Sequence, residues 1–71
     1  MPGRITRIVV TQLDPDADHP DPWRVEWING RDELRQHHDS EAAAQRHVRG
    51  LLRELASGVT RDQALTVVRR E

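Results

Sequence analysis

Trp23 to Leu34, Trp-Arg-Val-Glu-Trp-Ile-Asn-Gly-Arg-Asp-Glu-Leu, constrains the fold more than any other stretch of this chain. Successive side chains of a strand point to opposite sides, so Trp23, Val25 and Trp27 share one face, with Arg24, Glu26 and Ile28 on the other. Asn29-Gly30 is the strongest turn signal present: a two-residue type I′ turn needs positive φ at both central positions, which Asn tolerates and Gly adopts freely. That turn sets a register in which Ile28 faces Arg31, Trp27 faces Asp32, Val25 faces Leu34 and Trp23 faces Gln36. Leu34 then joins the Trp/Val face, as a core-forming hairpin requires. The same register puts Glu26 opposite Glu33 and Arg24 opposite Arg35, leaving the diagonal pairs to offset like charges. With one large apolar residue, Leu34, the returning strand reads as an edge strand blunted by charge.

A 71-residue chain is one domain, near the lower limit for folding without a staple. There is no cysteine, hence no disulfide framework and no thiolate metal site. No apolar run approaches the ~20 residues of a membrane span, and residues 1–7 do not lead into a signal-peptide core. A cytoplasmic protein is expected, with residues 1–3 as a flexible end. Hydrophobic residues make up 35% of the chain, without Phe or Tyr. The core is therefore small, and association is a route to burying more surface.

Every one of the 11 basic residues is Arg, which fits a codon bias rather than a function. The net charge of −1 is unevenly spread, with residues 14–26 at −4. No global basic field draws in nucleic acid, so any such contact must be local.

Arg4 to Leu13 is dense in β-branched residues and reads as the first strand. Ile8 and Val10 share one face, Ile5, Val9 and Leu13 the other. A strand apolar on both faces is central in its sheet, carries a bulge, or exposes an apolar face to a partner. Residues 14–22, Asp-Pro-Asp-Ala-Asp-His-Pro-Asp-Pro, form an acidic loop that excludes a helix interior or a central strand. Asp14-x-Asp16-x-Asp18 matches the start of a calcium loop. The match then fails, with no Gly at the sixth position and Val25 where the twelfth should be Glu.

A helix opens near Asp39-Ser40, either of which can cap it. Ala44, Val48, Leu51, Leu52, Leu55 and Ala56 recur at helical spacing and give one apolar stripe, ended by Gly58. Gly50 interrupts that stripe and could permit close approach to a Trp of the hairpin. Thr60 with Gln63 makes a capping box, and Val59 with Ala64 a hydrophobic staple, opening a second helix to about Arg70. Arg69 and Arg70 would lie at its C-terminal end, where the helix dipole favours cations.

The expected fold is therefore α+β: a three-stranded antiparallel meander, a long amphipathic helix packed on one face and a short C-terminal helix, in the order β-β-β-α-α. Both Trp residues would be core. The outer sheet face, with Arg24, Glu26, Ile28, Arg31, Glu33 and Arg35, would be free for recognition.

Catalysis has little support. Ser40 and Thr60 are already used as caps, no nucleophile motif surrounds the hydroxyls, and no Gly-rich phosphate loop exists. The carboxylates cluster in a loop with nothing to desolvate them, so no acid catalyst with a raised pKa is expected. His37 and His38 point to opposite faces of a strand, while His47 could approach one of them with Asp39 or Glu41 nearby. The spacing matches no ligand pattern, so surface histidines are the simpler account and no metal or cofactor is expected. Arg46, Arg49 and Arg53 line one side of the long helix, able to meet phosphates or an acidic partner, though a solvated helix face is the simpler account.

Trp23-Arg24-Val25-Glu26-Trp27, Gly30-Arg31, a polar strand, Ser40-x-x-Ala43-Ala44 and Leu55-Ala56-x-Gly58 together resemble the arm-type DNA-binding domain of phage and mobile-element integrases, over about residues 22–58. The resemblance implies a three-stranded sheet on one helix whose free sheet face reads DNA, with Arg24, Arg31 and Arg35 as contacts. It departs from that family in carrying Asp32 and Glu33 where a basic strand is usual, and in having no recombinase domain after it. The function expected from the sequence is a small non-catalytic interaction module, self-associating or an accessory subunit. Nucleic-acid binding through arginines of the sheet or helix is the alternative.

Overall fold

The computed structural model describes residues 3–13 and 21–68. The acidic stretch 14–20, Met1, Pro2 and residues 69–71 lie outside the described residues, and with them the calcium-like spacing and the expected placement of Arg69 and Arg70. The elements are β1 (Ile5–Gln12), β2 (Trp23–Asn29), β3 (Asp32–His38), α1 (Glu41–Leu52), α2 (Arg61–Ala64) and β4 (Leu65–Val68). They form a four-stranded sheet in the order β3-β2-β1-β4, antiparallel except that β4 runs parallel to β1. The α+β class and the hairpin hold. So does the antiparallel β1-β2-β3 meander, but a fourth strand, parallel to β1, stands where the second helix would continue toward Arg70.

That correction lies at Leu65. The capping box forms as expected, with Thr60 accepting from Gln63 N and Gln63 returning a bond to the Thr60 backbone. The helix nevertheless ends after one turn, and Leu65-Thr66-Val67-Val68 becomes a strand pairing Ile8 with Leu65 through to Thr11 with Val68. Three β-branched residues in succession crowd a helix and suit a pleated surface. Pairing there also satisfies the second edge of β1, which a three-stranded sheet would leave open.

The first helix is also shorter than its apolar stripe. Ser40 caps it, accepting from Ala43 N at 3.2 Å. It closes at Leu52, with Glu54 N donating to Leu51 O at 2.9 Å in a tighter last turn. The chain then extends along the start of β1: Ile5 N donates to Glu54 O and Ala56 N to Ile5 O, at 2.9 and 2.8 Å. Gly3 bridges to Ala56, and an added Cβ at Gly3 would overlap the Glu54 carbonyl. Gly58, with φ +85°, thus shapes a turn closed by Val59 N to Ala56 O, and is not a helix cap.

The hairpin register differs from the expected one by one step of the turn. Asn29 pairs with Asp32, Ile28 with Glu33, Trp27 with Leu34, Val25 with Gln36 and Trp23 with His38. Gly30 and Arg31 are the central turn residues, and only Gly30 has positive φ, at +64°. This is the requirement of a type II′ turn, not the type I′ that Asn-Gly suggests. Moving the turn by one residue moves every partner by two, so each side chain keeps its face. Leu34 stays on the Trp/Val side but remains 43% exposed.

β1 is both central and bulged. Ile5 pairs with Asn29 and Arg7 with Ile28, so the register shifts around Thr6. The extra residue returns Ile5 to the same face as Ile8 and Val10, and all three are buried. The core is Ile5, Ile8, Val10, Trp23, Val25, Ala44 and Val48, with Trp27 partly buried against it. Helix α1 lies across β1, β2 and β3. Gly50 does not approach a Trp; space for a Cβ there is open.

Candidate functional site

The sheet has two edges of opposite character. β3, at one edge, is Asp-Glu-Leu-Arg-Gln-His-His and exposed along nearly its whole length. Charges at that density discourage another strand from adding to it. β4, at the other edge, is Leu-Thr-Val-Val and carries no charge, with Val67 49% and Val68 42% exposed. Leu65 and Val67 share the face of Ile8 and Val10, while Thr66 and Val68 share that of Val9 and Thr11. Among the described residues no further strand pairs with this edge, and apolar surface flanks it on both sides.

Beside β4, on the helix side, runs a groove of about 320 Å³. Val10, Trp23, Val48, Leu52, Leu65 and Val67 line it, with Glu41, Arg49 and Arg61 among the residues at its margin. It exists because α1 crosses the other three strands and leaves β4 standing next to it.

The outer sheet face presents Arg7, Val9 and Thr11 from β1, Arg24, Glu26 and Ile28 from β2, and Glu33, Arg35 and His37 from β3. Arg24 Nε lies 3.0 Å from Glu26 Oε1, an ion pair without the alignment of a hydrogen bond. Glu26 also stands opposite Arg35. The charges thus alternate, and the face is not a basic field.

The arginines singled out in the sequence fall in three places. Arg24 and Arg35 are on the outer sheet face, Arg31 is in the hairpin turn, and Arg46, Arg49 and Arg53 are exposed on the helix side. The structure does not bring the two main groups together, since the sheet separates them. What sequence reasoning missed is β4 and its groove. The signal available was the β-branched run at Thr66-Val67-Val68.

The structure does unite two histidines. His38, ending β3, and His47, in the middle of α1, meet with Nε2 and Nδ1 3.0 Å apart. The His47 ring stands edge-on to Trp27, centroids 4.7 Å apart. The His47 pKa is lowered, first by burial, which penalises the imidazolium, and then by repulsion from His38. His37 is on the opposite face, as strand alternation demands. Among the described residues, no group of three or more His, Asp or Glu lies together, and no helix is long and apolar enough to cross a membrane.

No family model matches the chain, and neither a curated protein nor a solved structure does.

Proposed function

We propose that the chain is a non-catalytic interaction module that self-associates by adding β4 of one copy to β4 of a second. The observation that carries this reading is the contrast between the two edges: β3 bristles with charge, whereas β4 has none and exposes two valines. An uncharged edge strand offers unpaired backbone groups to another strand. Two copies related by a two-fold axis pair antiparallel, each contributing the same surface. Four strands from each copy become one continuous sheet. Val67 and Val68 of one copy then gain apolar neighbours from the other on both faces. The small core and the 35% hydrophobic content agree with a domain that gains by association.

Sedimentation over a wide concentration range tests it, comparing the parent chain with Val67→Lys. The parent should be dimeric at micromolar concentration, and the lysine variant monomeric with its circular dichroism unchanged. A parent that stays monomeric throughout would overturn the reading.

Nucleic-acid binding is the second reading, favoured by Arg24 and Arg35 sharing the sheet face opposite α1, with Arg31 at its tip. The Arg24–Glu26 ion pair weighs against it. Titration of labelled duplex and single-stranded DNA at low salt decides: affinity falling steeply with salt supports it.

A further inference from the structure

We propose that His38 and His47 form a binding site for a tetragonal first-row divalent metal ion, Cu(II) before Ni(II), through Nε2 of His38 and Nδ1 of His47. This site is independent of the β4 edge, on which neither histidine lies.

The two nitrogens come from different rigid elements, the end of β3 and the middle of α1, and stand 3.0 Å apart. In the metal-free chain one ring donates and the other accepts. A metal ion takes both lone pairs once the shared proton has moved to the far nitrogen of its own ring, so neutral histidines bind it without net proton release. Imidazole nitrogens bind such ions at about 2.0–2.1 Å, and at that reach a pair 3.0 Å apart subtends roughly 95° at the metal. That is the cis angle of a square-planar or octahedral site, narrower than the roughly 109° of a tetrahedral one. Imidazole nitrogens completed by water suit Cu(II) and Ni(II), and Cu(II) leads on intrinsic affinity. No third protein ligand is present among the described residues, so water completes the sphere.

Two surroundings suit the role. The ring planes lie 65° apart, so the rings do not stack face to face and leave both nitrogens at the edge where they meet. The edge-on contact with Trp27 restrains the His47 ring. Burial keeps His47 neutral at physiological pH, the form a metal needs.

The experiment is titration of the full chain with Cu(II) at pH 7.5, followed by Trp fluorescence, by electron paramagnetic resonance and by calorimetry. Trp27 lies 4.7 Å from His47, so a bound Cu(II) should quench its emission, and Trp23→Phe isolates that signal. One ion per chain with two imidazole nitrogens is expected. His47→Gln and His38→Gln should each weaken binding at least tenfold, whereas His37→Gln and His19→Gln should not. Circular dichroism checks that each variant is folded; His38→Gln, at a strand end, serves if His47→Gln unfolds. Unchanged affinity in folded His38→Gln, loss of the ion in His19→Gln, or tighter binding of Zn(II) than of Cu(II) would overturn the proposal.

Discussion

Glu26 of β2 stands directly opposite Arg35 of β3. A turn centred on Asn29-Gly30 would have set Glu26 against Glu33, and Arg24 against Arg35. The observed turn centres on Gly30-Arg31, replaces both like-charge pairs and preserves every side chain's face. Charge therefore discriminates between two registers that the hydrophobic pattern cannot tell apart.

A double-mutant cycle measures that relationship. Glu26→Gln and Arg35→Gln, singly and together, are expected to show a favourable coupling of about 0.2–1 kcal/mol, the range for opposite charges across a strand pair. Glu26→Gln with Glu33→Gln tests the other register. Relief of repulsion between those two exceeding the Glu26–Arg35 coupling in urea unfolding would contradict the register described.

Gly50 is exposed in α1 with open space where a Cβ would go. Gly50→Ala should therefore stabilise the domain by up to about 1 kcal/mol through helix propensity alone. In a domain this small that corresponds to a rise in melting temperature of roughly 4–8 °C. A fall in melting temperature would mean that the position is needed for close approach after all.

The parts of the fold legible in the sequence were those fixed by local chemistry. Alternation gave β2, Ser40 and Thr60 gave two helix starts, and the stripe through Ala44 and Val48 gave the buried face of α1. Leu55 and Ala56 fit that stripe equally well, yet they leave the helix because the start of β1 offers them backbone partners. Leu65 to Val68 continue a correctly read capping box with plausible helical spacing. Their fate depends on the unfilled edge of β1, which is a tertiary fact. The histidine pair was barely legible: the sequence allows His47 to approach a strand histidine but favours separate surface histidines, and only the docking of α1 brings His47 to His38 and not His37.

His47 gives the domain a pH dependence of known sign. Its pKa is lowered in the folded chain from an unfolded value of about 6.5, so the unfolded chain binds the extra proton first. The contribution to stability is level well above pH 6.5 and declines as pH falls through about 6.5 toward the lowered folded value. Denaturant midpoints at pH 7.5, 6.5 and 5.5 should therefore fall in that order, and the slope should be shallower in His47→Gln. A midpoint rising on acidification, with the variant parallel to the parent, would contradict it.

Thr60 is the last residue whose removal has a distinctive expected effect. Its hydroxyl accepts from Gln63 N at 3.3 Å and its own N–H donates to Gln63 Oε1 at 3.2 Å. That reciprocal pair holds the single turn of α2, which delivers Leu65 to its place beside Ile8. Loss of such a cap costs about 0.5–2 kcal/mol. Because α2 touches little besides β1 and β4, the cost in Thr60→Ala should fall on this end of the sheet. Amide exchange at Leu65–Val68 is expected to accelerate more than exchange at Trp23–Asn29. A uniform acceleration across both strands would show instead that β4 and the hairpin open only as one unit.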